Sequence, residues 1–178
     1  MKPDYTLIER FVDGPEALFD ALVGGIDWDR RIAARLTASF GRPYDYAGLT
    51  YAACPMPVWL QRLCEGIELR LGFRPDNCLV NYYLDGASKM GYHADDITEL
   101  ADDTGVAIVS LGGVRPLKFR RIGDIEMRHE LCQPAGSLLY LPQDVHRAWV
   151  HAIPRQKSAA PRISLTFRKL REQVLMRG

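Results

Sequence analysis

The fold is decided by a stretch near the end of the chain that reads Pro161-Arg162-Ile163-Ser164-Leu165-Thr166-Phe167-Arg168. Polar and apolar residues alternate strictly along it, which is the two-residue period of a β-strand. One face therefore carries two arginines and two hydroxyls, and the other carries only apolar side chains. The polar face has two interpretations: an edge strand turned to solvent, or the lining of a pocket whose arginines bind a dicarboxylate.

Short β-prone runs, separated by Gly, Pro and Asp turns, precede this strand from Asn77 onward. They are Cys78–Leu84, Val106–Leu111, Leu117–Arg121, Gly136–Leu141 and Trp149–Ile153, and Ile163–Arg168 is the last. Strands at this spacing predict a sandwich or a barrel rather than alternating strands and helices. At about ten residues for each strand and turn, residues 78–168 hold roughly eight strands, which suits a jelly roll.

The part of the chain before these strands predicts two helices and an ordered loop. A capping box, Asp13-x-x-Glu16, opens the first helix, and Gly24-Gly25 ends it. The second helix runs from near Pro57 to a stop at Gly72, with apolar residues recurring every four positions. Three tyrosines and several turn formers between Gly41 and Tyr51 indicate an ordered loop or hairpin rather than a helix.

Length and composition indicate one globular domain, because 178 residues with 47% hydrophobic content suffice for one core and are too few for two ordinary ones. We therefore predict an α+β fold with a double-stranded β-helix (jelly roll) core and flanking N-terminal helices. A single domain is expected over residues 1–178. Residues 1–75 would supply the helices and a substrate lid, and residues 76–170 the jelly-roll core.

The net charge does not indicate a particular class of binding partner. With 23 Lys and Arg against 22 Asp and Glu, the net charge is +1, which is little for a protein that grips many phosphates by bulk charge. One strand-and-loop region does hold a basic cluster that could touch phosphates. Its members are Arg115, Lys118, Arg120, Arg121 and Arg128.

The cysteines and the absence of targeting signals indicate a cytoplasmic protein. No C-x-x-C spacing occurs, so buried free thiols are expected rather than a zinc or redox site. The cysteines are Cys54, Cys64, Cys78 and Cys132. No run approaches the roughly 20 apolar residues that span a bilayer, and the N-terminus does not look like a signal peptide. We expect a monomer with no membrane partner.

Histidine is scarce, and its placement suggests a metal site. His93 and Asp95 are two residues apart, so on a strand both point to the same side. His151 lies on a later strand that can return beside them in a jelly roll. The three would form a two-His-one-carboxylate set, the ligand set of non-haem Fe(II) oxygenases. His146 competes for this role, but its charged neighbours suggest a solvated loop, and His129 is expected to be exposed.

Taken in order, several motifs resemble the AlkB family of Fe(II)/2-oxoglutarate dioxygenases, from about residue 44 to residue 171. The first are Asn81-x-Tyr83-x-x-Gly86, Met90-Gly91-x-His93-x-Asp95-Asp96, and Ser110-Leu111-Gly112 followed by Arg115 and Phe119-Arg120. Next come Gly136-Ser137-Leu138-Leu139, Trp149-x-His151-x-x-Pro154 and Arg162-x-Ser164-Leu165-Thr166-Phe167-Arg168. Each motif is weak by itself, whereas all of them in one order are specific.

The resemblance implies a role for each matching residue. Those that match the iron ligands are His93, Asp95 and His151. Those that match residues around the distal carboxylate of 2-oxoglutarate are Asn81, Tyr83 and Arg162. Arg168 matches the arginine beside the metal Asp and the keto-acid end of the co-substrate. Ser164 and Thr166 line the same strand, and Ser164 stands where the family commonly has Asn.

The resemblance also implies Fe(II) as cofactor, 2-oxoglutarate and O2 as co-substrates, and oxidative removal of N-alkyl groups from DNA or RNA bases. The aromatic loop lies where the family has its substrate lid, and its rings either stack on an extruded base or pack the lid against the core. Tyr46 and Tyr51 are the candidates to face the substrate, and Asp96 is a further candidate. Ile97 stands where the better-known nucleic-acid demethylases have an acidic residue. The same chemistry on a protein or small-molecule substrate is therefore an open alternative, and a non-catalytic, anion-binding jelly roll is a third.

Overall fold

The computed structural model describes residues 2–172. In chain order, the elements are β1 (Thr6–Ile8), α1 (Pro15–Gly25), β2 (Leu36–Gly41), β3 (Tyr44–Tyr46), β4 (Leu49–Tyr51), α2 (Val58–Leu71), β5 (Asn77–Tyr83), β6 (Met90–His93), β7 (Gly105–Gly112), β8 (Pro116–Arg121), β9 (Asp124–Cys132), β10 (Leu138–Pro142), α3 (Gln143–Ala148), β11 (Trp149–Ile153) and β12 (Arg162–Arg168). None of the helices in this part of the chain is long and apolar enough to cross a membrane.

Two antiparallel sheets form the core of the fold. The major sheet has six strands in the order β1-β10-β7-β12-β5-β2, and the minor sheet has four in the order β6-β11-β8-β9. Consecutive strands alternate between the sheets over much of the chain, as in a jelly roll. The eight strands β5 to β12 account for residues 77–168, which confirms the predicted double-stranded β-helix and its strand number.

Strand β12 lies in the middle of the major sheet, because β5 and β7 pair with its two edges. Every residue of β12 is buried, so the interpretation as a solvated edge strand is wrong. Its apolar side chains, Ile163, Leu165 and Phe167, belong to a core cluster that also contains Leu22 of α1 and Ile67 of α2. Its polar side chains lie on the opposite face and line a cavity.

Helices α1 and α2 begin and end close to where the sequence predicts, although one cap differs, and the short helix α3 was not predicted. Pro57 and Gly72 cap α2 as predicted, with Gly72 in the left-handed conformation at φ 80°. The predicted capping box at Asp13 is wrong. Gly14, at φ 60°, occupies the N-cap position of α1, and no side chain caps the helix. Asp13 therefore stands one residue outside the position from which a side chain caps.

The segment between Gly41 and Tyr51 is an ordered hairpin, as predicted. Strands β3 and β4 pair antiparallel with Tyr46 opposite Leu49. The two residues between them, Ala47 and Gly48, both have positive φ, which is typical of a two-residue hairpin turn. We call Tyr44–Tyr51 the lid hairpin.

Some expectations about the strands and cysteines are corrected. The sequence did not predict β1, β2, β6 and β9. Strand β9 lies at the edge of the minor sheet, and its side chains are exposed or half-buried. Its apolar residues Ile125, Met127 and Leu131 alternate with charged ones, which is the signal by which this strand could have been predicted. Cys64 and Cys78 are buried thiols as predicted, Cys54 is half-buried, and Cys132 is exposed because it ends this edge strand.

Candidate metal centre and co-substrate cavity

Three metal-ligating side chains converge where β6 meets β11. His93 ends β6 and lies opposite His151 on β11, and Asp95 follows His93 by two residues. One donor atom of each residue lies within 4.8 Å of the donor atoms of the other two. Pairing between the two strands thus joins residues that are far apart in the chain, and it produces the ligand set that the sequence predicts.

The hydrogen bonds around the three side chains leave their metal-facing atoms available. Nδ1 of His93 lies 2.9 Å from the carbonyl oxygen of Gly91; a carbonyl only accepts, so Nδ1 donates and Nε2 keeps its lone pair. Arg168 donates to Oδ1 of Asp95 at 2.5 Å. Oδ2 of Asp95 is buried with no hydrogen-bond partner. Such an orphaned oxygen is unfavourable, and a divalent cation would satisfy it.

The electrostatics of the cluster favour the protonation states that bind a metal. Burial by itself would raise the pKa of Asp95, but Arg168 and the neighbouring histidines outweigh burial and hold it well below its usual range. Burial lowers the pKa of His151 to about 3, against a weaker opposing effect of Asp95. The carboxylate is therefore charged and the imidazole neutral at physiological pH, as metal ligation requires.

The metal-free protein should lose stability when the pH falls from 7 to 5. The folded-state pKa of His151, about 3, lies below the ordinary value of 6.5, so between these values the unfolded state binds a proton that the folded state does not. This linkage should lower the free energy of unfolding by about 2 kcal/mol at pH 5. Urea unfolding in the presence of a chelator measures the effect. A His151→Asn variant should lose less free energy of unfolding over the same pH range. An equal loss in the two proteins would contradict the assignment of this pH dependence to His151.

His146 is not the solvated loop residue that the sequence predicts. It lies on α3 with only 4% of its surface exposed. The charged neighbours Asp144 and Arg147 are three residues apart on the outer face of α3 and pair with each other, which leaves His146 on the inner face. Its Nδ1 accepts a hydrogen bond from the backbone N–H of Asp95 at 3.3 Å. His146 therefore helps to hold Asp95, the carboxylate residue of the metal site, in place through its backbone.

Two further surface expectations are corrected. His129 is half-buried rather than exposed, because it packs against Tyr5, whose hydroxyl lies 3.1 Å from its Nε2. Arg115 is fully buried and does not belong to a phosphate-contacting surface. Its guanidinium donates to the carbonyl oxygens of Asp85, Ser88 and Pro154, so it ties the loop between β5 and β6 to the segment that follows β11.

The polar faces of β5 and β12 line one cavity between the sheets, next to the metal-ligating cluster. Ser164 of β12 lies opposite Asn81 of β5, and Arg162 lies opposite Tyr83. The residues of the predicted co-substrate site that line this cavity are Asn81, Tyr83, Arg162, Ser164, Thr166 and Arg168. His93, Asp95 and His151 line the same cavity, so metal ligands and the polar strand faces enclose one space.

Arg162 gives the cavity its electrostatic character. It is 3% exposed, its Nε donates to the hydroxyl of Ser110 at 2.9 Å, and its guanidinium lies 5.5 Å from the centre of the Tyr83 ring. No carboxylate within residues 2–172 forms an ion pair with it. Burial lowers its pKa, which means that the buried cation is unfavourable without an anion. A carboxylate-bearing ligand would supply that anion.

The lid hairpin and the segment after β6 form the mouth of the cavity. Tyr46 and Asp96 line this mouth, together with Asp45, Tyr92 and Arg35. Burial raises the pKa of Tyr46 to about 12. Tyr51, the last residue of the hairpin, is buried instead of facing the mouth, and its hydroxyl is 2.7 Å from that of Thr37. Ile97 packs against the core between the sheets and does not stand in for an acidic group at the mouth.

Two buried polar residues at this site, Arg35 and Gln133, are absent from the sequence predictions, and His146 is predicted with the wrong environment. Gln133 lines the cavity and donates to the carbonyl oxygens of Ile108 and Ser137. His146 supports Asp95, and Arg35 bridges the lid hairpin and β5. None of them stands in a spacing pattern with the metal ligands. The sequence therefore offers no signal for Arg35 and Gln133, and for His146 only its residue type.

Comparisons with known proteins agree with this geometry. Residues 25–168 match the family model of the 2OG-Fe(II) oxygenase superfamily. The DNA oxidative demethylase ALKBH2 of Bos taurus is 35% identical over 139 residues, which cover 73% of this chain and 50% of that protein. Alpha-ketoglutarate-dependent dioxygenase alkB homolog 3 of Mus musculus is 29% identical over 186 residues, which cover 91% of this chain and 64% of that protein.

A solved structure, that of OsALKBH1, has the same fold. It superposes with a TM-score of 0.67 and 16% identity, and the match covers 95% of this chain and 99% of that one. The present chain spans about half the length of the mammalian ALKBH2 proteins that it matches, since the matched part is 50% of the bovine and 53% of the human protein.

Proposed function

Because the chain belongs to the AlkB family within the 2OG-Fe(II) oxygenase superfamily, we propose that it oxidatively removes N-alkyl groups from bases of DNA or RNA. Members of the superfamily use Fe(II), 2-oxoglutarate and O2. The observation that carries the proposal is a single cavity that holds both a two-His-one-carboxylate set and Arg162, a buried cation without an anionic partner in the described chain.

The residues present fit the metal. Two imidazoles and a carboxylate occupy one face of an octahedral ion and leave the opposite face for other ligands, and the orphaned Oδ2 of Asp95 needs a cation. His93, Asp95 and His151 would hold the iron. When bound, Fe(II) with 2-oxoglutarate and O2 supplies the oxidising power that converts a C–H bond of the alkyl group to C–OH, with release of succinate and CO2.

The surrounding side chains would bind and orient the co-substrate. Arg162 and Tyr83 would neutralise and hydrogen-bond its distal carboxylate, and Asn81 would add an amide donor. Arg168 holds Oδ1 of Asp95, so the other carboxylate oxygen is directed to the metal. The cavity lies between two sheets, which excludes bulk water from the reacting groups and strengthens these charge interactions.

The mouth of the cavity would receive the base. Asp45 and Asp96 are exposed there, and their carboxylates are complementary to a ring nitrogen that has gained positive charge by alkylation. Tyr46 could stack on an extruded base. After hydroxylation, the unstable N–CH2OH group loses formaldehyde and returns the unmodified base. The relatives named DNA oxidative demethylases support a nucleic-acid substrate.

We also propose that the protein is a cytoplasmic monomer. Its four unpaired cysteines suit a reducing compartment.

Methylated oligonucleotides test the proposed function. Single- and double-stranded DNA and RNA, each with one N-methylated base, are incubated with the protein, Fe(II), 2-oxoglutarate and O2. We expect mass spectrometry to find loss of one methylene unit per lesion, with one formaldehyde and one succinate formed for each repaired base. Protein prepared without metal and 2-oxoglutarate is the control. Succinate release without repair of any oligonucleotide would instead favour a protein or small-molecule substrate, and no succinate at all would refute the oxygenase assignment.

A further inference from the structure

Arg35 stands immediately before β2, buried between the lid hairpin and β5, and it bonds to three separate segments. Its Nε donates to Oδ1 of Asn81 at 2.7 Å, and one terminal nitrogen donates to the carbonyl oxygen of Lys89 at 3.2 Å. The other terminal nitrogen donates to the hydroxyl oxygen of Tyr46. Only 7% of its surface is exposed. Within residues 2–172, no carboxylate pairs with it.

The bond to Asn81 decides which way this amide points. A guanidinium has only donors, so the Asn81 atom that faces Arg35 must be the carbonyl oxygen. The amide group that Asn81 can then offer to the cavity is its NH2. Because an NH2 donates, it suits a carboxylate, whereas the opposite orientation would turn an oxygen toward the anion. Arg35 thus selects the orientation in which Asn81 suits an anionic ligand.

The bond to Tyr46 connects the same guanidinium to the lid hairpin. Tyr46 lines both the co-substrate cavity and its mouth, and the guanidinium carbon of Arg35 lies 5.5 Å from the centre of its ring. Since the phenol oxygen accepts from Arg35, its own proton is donated to another group, the sulfur of Met90 at 3.8 Å. One rigid, planar group therefore holds a side chain of the co-substrate wall and a side chain of the lid in a fixed relation.

We propose that Arg35 is a positioning residue that couples the lid hairpin to the 2-oxo acid site through Asn81 and Tyr46. This inference rests on the proposed function, because it takes a carboxylate-bearing co-substrate as the cavity's occupant. When that carboxylate holds the NH2 of Asn81, it stabilises the Arg35 network, and with it the ordered position of Tyr46. By reciprocity, an ordered hairpin strengthens binding of the co-substrate.

The test uses Arg35→Met, which keeps the length of the side chain and removes all its donors. Arg31→Met is the matched control, because Arg31 is exposed in the same segment, hydrogen-bonds only to Asp29, and contacts the hairpin only through the ring of Tyr51, 5.6 Å from its guanidinium carbon. It therefore touches the hairpin without bonding to Asn81 or Tyr46. Binding of 2-oxoglutarate is measured by calorimetry on protein loaded with Mn(II), without O2. We expect Arg35→Met to bind 2-oxoglutarate about tenfold to a hundredfold more weakly, and Arg31→Met to match the wild type within about twofold. Affinity for Mn(II) alone should be unchanged in both variants.

Hydrogen exchange of the lid hairpin separates coupling from a general structural effect. In wild-type protein and in Arg31→Met, 2-oxoglutarate should slow amide exchange in residues 44–51, and in Arg35→Met this slowing should be lost. Tyr46→Phe removes only one hydroxyl and serves if Arg35→Met folds poorly; it too should lose the slowing. Steady-state assays should show a raised KM for 2-oxoglutarate with little change in kcat.

The outcomes distinguish this inference from the proposed function. If the wild-type protein and Arg35→Met bind 2-oxoglutarate equally well, the role of Arg35 is overturned and the proposed function stands. Weakened binding with unchanged exchange protection of the hairpin in both Arg35→Met and Tyr46→Phe overturns the coupling. A wild-type protein that does not bind 2-oxoglutarate at all overturns the proposed function and this inference together.

Discussion

His93→Ala should bind Fe(II) at least about a hundredfold more weakly than the wild-type protein, and it should lose the proposed demethylase activity. Removing a residue that merely supports a metal ligand typically weakens metal binding by about tenfold to a hundredfold, so removing a ligand should do more. His93 suits this test because it is half-buried and its side chain hydrogen-bonds only to the carbonyl of Gly91. The fold should therefore survive the change.

Anaerobic titration with Fe(II) in the presence of 2-oxoglutarate measures this effect by the metal-to-ligand charge-transfer band. The band should appear in the wild-type protein and be absent in His93→Ala. The matched control is His129→Ala, since His129 is also half-buried but contacts Tyr5 rather than the metal ligands. If His93→Ala retained the band at wild-type metal concentrations, His93 would not be a ligand.

Arg168→Met should lower the free energy of unfolding of the metal-free protein by about 3–5 kcal/mol. Arg168 and Asp95 form a buried ion pair at 2.5 Å with side-chain exposures of 1% and 6%. Removing the guanidinium leaves the Asp95 carboxylate buried without its strongest compensating charge. Urea unfolding at neutral pH in the presence of a chelator measures this loss. If the unfolding midpoint of Arg168→Met lay near the wild-type urea concentration, Arg168 would not compensate the charge of Asp95.

Two further variants serve as controls for the effect of Arg168→Met. Lys169→Met removes the next cation along the chain, which is 40% exposed and pairs with Asp76, and it should change stability by no more than about 1 kcal/mol. The double variant Arg168→Met with Asp95→Asn removes both charges and should recover part of the loss, because no buried charge is left unpaired. Saturating Fe(II) should also restore stability to Arg168→Met, since the ion gives Asp95 a new positive partner.

The residues of the site could be predicted from the sequence better than their surroundings. His93, Asp95 and His151 were identified from spacing and from the order of the motifs, and the structure brings them within ligand distance of one another. The environment of His146 was predicted wrongly, because the sequence shows its charged neighbours but not that α3 turns them outward. Arg115 differs from the expectation for the same reason: its basic neighbours in the sequence suggest an exposed side chain, whereas the three carbonyl groups that bury it come from other segments of the chain.

The alternation of Arg162–Arg168 by itself determined that the segment is a strand and which side chains share a face. Only the tertiary structure decided that the polar face is buried, because that depends on β5 and β7 covering both edges of β12 and on the minor sheet lying opposite. The hydrogen bonds from Arg35 to Asn81 and Tyr46 are likewise decided only by the tertiary structure. Local periodicity reports how neighbouring side chains alternate along a backbone, whereas burial and charge pairing arise from segments far apart in the chain.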